Sequence, residues 1–324
     1  MRNLLKLISV FFSFIFVSGE LFANNHPKIK IGSLQYGSVN WELNLIKSLE
    51  LDKSNNVEVE IVKLASKNAA AVALQGNAVD LIVTDWFWVS RQRSMGRNFS
   101  FIPHSMAAGG LIVKKDSPIK SIKDLKEKKI GIAGGQVDKS WLIFRAYYKK
   151  KFGIDLSKES KQIFGAPPLL NKKIEQGSFD AILTYWPYQA RLLSKGFEKV
   201  ISITSIIEKL GSPPGMPIIG WVFREDWSDE NKEALTNFVK ASDEAKKIML
   251  ESDEIWDSIK PDMQAENERI FINLRDIYRE GIPRSSNNNY TNGANNLFST
   301  LSEIGGEALV GKSKMLSPGT FWKE

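Results

Sequence analysis

The chain has 324 residues, of which 43% are hydrophobic and 25% charged, a formal net charge of +7 and no cysteine. This is apolar material enough for a substantial core and, at ordinary domain sizes, for about two domains. The missing cysteine excludes disulfides, thiolate metal sites, a cysteine nucleophile and a lipidated N-terminal cysteine. Lys and Glu are mixed throughout, so the runs Lys126–Lys129 and Lys149–Lys151 read as solvated helix faces, and no nucleic-acid partner is expected.

Arg2 and Lys6 precede an apolar run from Leu7 to Val17, followed by Ser18-Gly19-Glu20-Leu21-Phe22-Ala23. A basic start, a short apolar core and a small residue at the cut predict a secretory signal peptide over 1–23. The run is about half the length that spans a bilayer, and Glu20 stops its extension. The mature protein is expected in the periplasm.

Lys28-Ile29-Lys30-Ile31-Gly32 opens a first strand. A loop from Ser33 to Trp41, carrying Tyr36, leads into a helix to Leu51. Val57–Leu64 reads as a second strand and Lys67–Leu74 as an Ala-rich helix ended near Gly76. Asp80-Leu81-Ile82-Val83-Thr84-Asp85-Trp86 then has the three apolar residues of a strand buried on both faces. A helix Trp86–Gln92 follows. Gly109–Val113 reads as a strand leaving this lobe, and Ser121–Leu125 as a short helix.

The second lobe repeats the plan. Lys128-Lys129-Ile130-Gly131-Ile132 is its first strand, Gly134–Asp138 a loop, and Lys139–Lys151 a helix. A strand Gln162–Phe164 and a helix Leu170–Glu175 come next. Asp180-Ala181-Ile182-Leu183-Thr184-Tyr185-Trp186, 100 residues after its first copy, precedes a helix Tyr188–Leu193. Gly211–Pro217 is a loop, and Ile218–Phe223 a strand returning to the first lobe. Everything after Asp229 reads as amphipathic helix, interrupted by Pro261 and Gly281-Ile282-Pro283, with Ser286–Asn289 a turn. Crossings near Val113 and Ile219 predict an α/β molecule of two lobes with a cleft between them: 27–112, then 113–218, then 219–324 returning to the first lobe.

Little in this cleft suggests catalysis. His26 and His104 are the two histidines, and His104 is either structural or a cleft contact, so no metal is expected. Gly131-Ile132-Ala133-Gly134-Gly135 lacks the dinucleotide spacing. No nucleophile is assembled with a base, and no cofactor is expected.

Binding is better supplied. Asp138 precedes a helix whose first turn holds Lys139, Ser140 and Trp141. It is an N-cap, or it belongs with Gln136, the free amides of 135–139 and the Ser140 hydroxyl to a seat for an anionic head. Asp85 is a cap of the next helix or a carboxylate aimed at an ammonium group. Trp41, Trp86, Trp141, Trp186 and Trp221 fall at strand ends or cleft loops, as core or as flat stacking walls. Trp88, Trp227, Trp256 and Trp322 are assigned to packing. Tyr36, Thr84, Tyr185 and Tyr188 supply hydroxyls.

Asp124-Leu125-Lys126 with Lys129-Ile130-Gly131, Gly177–Tyr188 with its Trp186-Pro187-Tyr188, and the ending Gly305-Gly306, Gly311 and Pro318-Gly319-Thr320-Phe321-Trp322 carry a resemblance. In this order, behind a signal peptide, the chain resembles the solute-binding proteins of ABC importers for nitrate, taurine, alkanesulfonates and thiamine pyrimidine. The resemblance implies the second type of periplasmic binding protein fold, with extra C-terminal helices. It also implies a monomeric receptor that delivers a small solute to an ABC permease in the inner membrane. A taurine-like or other sulfonate, as anion or zwitterion, is the first expectation, and a thiamine-type pyrimidine or other flat or cationic heterocycle the second. A periplasmic enzyme or a sensor on the same fold is a remote alternative. An enzyme branch that makes thiamine pyrimidine carries a cysteine-rich motif, from which this chain departs. Sulfonate-binding relatives often have small hydroxyl residues where Gln136, Val137 and Asp138 stand here.

Overall fold

The computed structural model describes residues 26–283, 290–304 and 306–323. The expected signal peptide and the turn at 286–289 lie outside the described residues. Ten strands are formed: β1 (Lys28–Leu34), β2 (Glu58–Leu64), β3 (Leu81–Asp85), β4 (Phe99–Ser105), β5 (Gly110–Val113), β6 (Lys129–Ala133), β7 (Lys161–Gly165), β8 (Ala181–Thr184), β9 (Glu198–Ser202) and β10 (Ile219–Arg224). They build two five-stranded sheets, ordered β2-β1-β3-β10-β4 and β7-β6-β8-β5-β9. β1 is parallel to β2 and β3, and β6 is parallel to β7 and β8. β10 runs antiparallel to β3 and β4, and β5 antiparallel to β8 and β9. Each sheet thus holds one reversed strand, reached by a chain arriving from the other sheet. This is the two-lobed arrangement of type II periplasmic binding proteins.

The repeated Asp-to-Trp segments have a backbone cause. Asp80 Oδ2 accepts the Lys30 amide at 2.8 Å, while its own amide donates to the Lys30 carbonyl. Asp180 makes the same reciprocal pair with Lys129, at 2.7 Å through its side chain. In each lobe this pins the entry of the third strand against the first. A Cβ on Gly32 would meet Val79, and one on Gly131 would meet Phe179, each at 3.1 Å. Both glycines make room for the residue just before the aspartate.

The chain changes sheet between Ser105 and Gly110, since β5 is already paired in the second sheet, a few residues before the expected boundary at 112/113. It returns between Ser202 and Ile219. β4 and β9 were not expected from the sequence. Two further expectations are corrected. Pro261 does not interrupt a helix but lies inside Ile255–Met263, near its end, and the break comes at Gln264, in the left-handed region at φ 49°. Beyond Val310 the described chain is not helical. Its end lies along β4, where Phe101 donates to the Thr320 carbonyl and Trp322 to the Phe101 carbonyl, so an open sheet edge is covered.

The C-terminal helices do not serve the first lobe alone. Lys232–Glu251 packs on the helix Val39–Ser48 of the first lobe, Glu268–Glu280 on the helix Trp186–Ser194 of the second, and Tyr290–Ile304 on Lys139–Phe152. The two larger hydrophobic cores consequently mix lobes, while a third, smaller one around Ile112, Leu170 and Phe179 lies within the second. Of the larger pair, one contains Trp86 with Trp141 and Phe298, the other Trp41 with Trp186 and Phe238.

Candidate functional site

The carboxyl ends of β3, β6 and β8 carry the polar residues that the sequence singled out, as expected where ligands meet an open α/β sheet. Asp85 closes β3 and caps Trp86–Arg93, its Oδ1 accepting the Trp88 amide at 2.9 Å. Asp138 caps Lys139–Phe152, its Oδ1 accepting the Ser140 amide at 2.9 Å. Capping leaves each a second oxygen. That of Asp138 accepts the Tyr185 hydroxyl at 2.7 Å. That of Asp85 pairs with the ammonium of Lys139. Asp85 belongs to the first lobe and Lys139 to the second, so this ion pair joins the lobes. Lys67, from the first lobe, lies 5.2 Å above the Tyr185 ring in the second and makes a further bridge.

Burial pushes Asp85 upward, but the charge and hydrogen bond of Lys139, the Trp88 amide and, most weakly, Arg91 outweigh it and hold the carboxyl below its usual range. Burial pulls the Lys139 ammonium below its usual range, and Lys67 adds to that pull against the opposing carboxylates of Asp85 and Asp138. Burial, then the Asp138 charge and hydrogen bond, push Tyr185 well above the usual phenol range and keep its proton in place. The site holds two cations near two carboxylates, both carboxylates already engaged. An added anion would relieve Lys139.

Ser140, Thr84 and Tyr185 are partly buried around this centre, while Gln136 and Tyr36 are exposed, Tyr36 to 78%. Of the two readings of the indoles, core or stacking wall, their burial favours the core. Trp41, Trp86, Trp141, Trp186 and Trp221 are at most 8% exposed, and their faces are taken by protein. Trp41 meets Trp186 edge-on at 5.7 Å across the lobes. Trp86 stacks on Phe87 at 3.8 Å, and Trp221 packs on Phe238 and His104. Of the two roles weighed for His104, structural or cleft contact, its burial favours the structural one. The residue is buried in the first lobe, 3.7 Å from Glu42, and burial keeps its ring well below the usual histidine range.

Two residues central to this geometry, Lys67 and Lys139, were not singled out by the sequence reading. Their local signal was position in a first helical turn. Their partners lie 118 residues away (67 to 185) and 54 residues away (139 to 85) in the chain. Open hollows lie elsewhere: one is lined by His26, Lys47 and Lys53, another by Glu225, Thr291 and Phe321. Neither holds convergent charges from both lobes, so chemistry rather than concavity marks the site. Among the described residues no three His, Asp or Glu side chains are grouped to hold a metal ion. No helix among them is long and apolar enough to cross a membrane.

Comparison with known proteins agrees with this architecture. The chain is 25% identical over 138 residues to the nitrate/nitrite binding protein NrtA of Synechococcus elongatus, covering 40% of this chain and 29% of the relative. It therefore spans less than a third of that relative's length. The periplasmic aliphatic sulphonate binding protein SsuA of Escherichia coli superposes with a TM-score of 0.72 at 16% identity, over 91% of this chain and 92% of the other. The alkanesulfonate-binding protein SsuA of Xanthomonas axonopodis pv. citri, bound to MOPS, gives 0.65 at 12% identity, over 92% and 98%. The model of the NMT1/THI5-like family matches residues 53–254, well over half of the chain. The chain belongs to the NMT1/THI5-like family.

Proposed function

We propose that the protein is the extracytoplasmic solute-binding component of an ABC importer, holding a small sulfonate- or nitrate-like solute between its lobes and handing it to a permease. The observation that carries this reading is the Asp85–Lys139 pair, a charged contact joining the carboxyl ends of two sheets that otherwise belong to separate lobes. Family membership and the likeness to sulfonate- and nitrate-binding proteins support the solute class. Lys67, Lys139 and the amides at the start of Lys139–Phe152 favour an anionic head. The buried indoles leave few faces for a flat heterocycle, which supports keeping a pyrimidine as the second expectation.

Solute binding would favour the closed form only through its higher affinity for that form. The chemistry asked of the site is binding and release, without turnover. Calorimetric titration of the mature protein against nitrate, taurine, alkanesulfonates and a thiamine-type pyrimidine tests this. Saturable binding of a sulfonate or nitrate that Lys139→Gln weakens supports the reading. Binding of the pyrimidine alone, or of none of these, overturns it.

A further inference from the structure

Charge is unevenly spread over the molecule. Between Gly110 and Ser202, the span of the second sheet, stand 19 Lys or Arg and 9 Asp or Glu, a net +10 in a chain whose total is +7. Of the two lysine runs read from the sequence as solvated helix faces, Lys149–Lys151 does close the helix Lys139–Phe152. Lys126–Lys129 instead forms the turn into β6. Topology brings both runs to one place. The helix starts at the carboxyl end of β6 and finishes at the amino end of the sheet. There Lys129 and Lys161, the first residues of β6 and β7, are register partners. The Lys161 amide donates to the Lys128 carbonyl and the Glu127 amide to the Glu159 carbonyl, which ties the turn 126–128 to the segment carrying Lys158.

Lys149, Lys150, Lys151, Lys158 and Lys161 are exposed and, among the described residues, form no ion pair. The carboxylates nearby are engaged internally: Asp180 accepts the Lys129 amide, Glu159 the Tyr148 hydroxyl and Asp155 the Arg145 guanidinium. Arg145 and Arg191 are the arginines of the span, and both are paired. The uncompensated cations are therefore lysines, strongly hydrated point charges without the planar fork that reads carboxylates or phosphates one at a time. Among the described residues the exposed large aromatic side chain is Tyr36, on the first lobe, so nothing on this face stacks a base. Its exposed apolar side chain is Ile154, three residues beyond Lys151. Such a face suits a diffuse negative surface, to which each lysine adds attraction without needing a pocket.

We infer that the amino-end face of the second lobe, built on Lys149–Lys151 with Lys158 and Lys161, docks reversibly on an anionic phospholipid surface. β6 is five residues long, so this face stands about 15 Å from the sheet ends that lead to Asp138 and Tyr185. The docked protein keeps its solute site clear of the headgroups. Docking of this kind does not depend on which solute the cleft accepts.

Co-sedimentation of the mature protein with vesicles tests this, using phosphatidylcholine alone and phosphatidylcholine mixed with phosphatidylglycerol. At about 0.01 M salt, where screening is weak, the protein should bind the anionic vesicles and not the neutral ones. At about 0.15 M salt that binding should weaken at least about tenfold. The triple variant Lys149→Gln, Lys150→Gln, Lys151→Gln should lose at least about tenfold in vesicle affinity. A control removes the same charge elsewhere: Lys232→Gln, Lys240→Gln and Lys247→Gln, exposed on the helix Lys232–Glu251, should together change it by less than about twofold. Solute affinity and melting should stay those of the wild type in both variants.

Failure to bind phosphatidylglycerol vesicles at low salt overturns the inference, and so does equal binding to neutral vesicles. Equal losses in the two triple variants overturn it as well, since attraction would then follow net charge and not this face. Polyglutamate replaces the vesicles in a last arm, and its capture without vesicle binding would assign the face to an acidic protein instead. None of these outcomes touches the solute reading, which its own titrations decide.

Discussion

At the scale of single residues, the aspartates show how one side chain does several jobs. Asp80 and Asp180 each lock a strand entry through a carboxylate–amide bond, in a place water reaches. Asp180→Ala should therefore cost only about 1 kcal/mol in denaturant unfolding, the usual net worth of such a bond, with solute affinity untouched. Asp155 adds a pH-dependent contribution: hydrogen bonds from Arg145 and then from the Ser157 amide outweigh burial and lower its pKa to about 2, from 3.8. A depressed carboxyl stabilises the fold above its unfolded pKa, and that contribution is lost as pH falls through about 2. The pair is partly exposed, so Arg145→Ala should lower stability at neutral pH by under about 1 kcal/mol. The difference from wild type should fade in melts taken between about pH 4 and 2. The sequence displayed the two Asp-to-Trp copies plainly and both caps at Asp85 and Asp138 as options. It did not show that cap and charged contact are one residue's two oxygens. Nor did it show which way an indole points: Trp41 is covered by Tyr278 and Trp256, residues more than 200 positions later in the chain.

At the scale of elements, the parallel strands were legible because short apolar runs bounded by glycine and aspartate suit a sheet buried on both faces. The edge strands were not. β4 carries Pro103, which lacks an amide proton, and its register against β10 shifts between Ile219 and Gly220. β9 begins Glu198-Lys199, and those two residues are exposed, a composition that reads as loop while guarding an edge. The crossover from β4 to β5 depends on backbone proximity that no pattern reveals. A Cβ on Gly109 would stand 1.6 Å from the Thr184 carbonyl oxygen. Because that neighbour is strand backbone and cannot swing aside, Gly109→Ala should destabilise by about 3 kcal/mol or prevent folding, as overpacking of a rigid site does. Thermal denaturation of the purified variant measures it, and a melt within a degree or two of wild type would contradict the close approach.

At the scale of the whole molecule, the question is what couples the lobes apart from the chain that joins them. The helix Glu268–Glu280 touches the crossover at one end, where Met106 donates to the Gly281 carbonyl. Along its length it packs on Trp186–Ser194 of the second lobe, with Asn273 donating to Ser194 at 2.7 Å. Arg191 extends from that second-lobe helix to the carbonyls of Met263 and Gln264 and to Glu266, at 3.1–3.2 Å. None of these contacts involves Asp85 or Lys139, so they bear on how readily the lobes close and not on which charge is accepted. Arg191→Ala removes the bonds to Met263, Gln264 and Glu266 together and should shift the solute-free population away from the closed form. Apparent affinity falls with the competent fraction, so every solute should weaken by one common factor, about fivefold for a loss near 1 kcal/mol. Calorimetry with two solutes of different charge reads the factor, and small-angle scattering of the solute-free protein should show a larger radius of gyration. A variant that alters the ratio between solutes, or leaves the radius unchanged, would place Arg191 in the binding site or make it structurally silent.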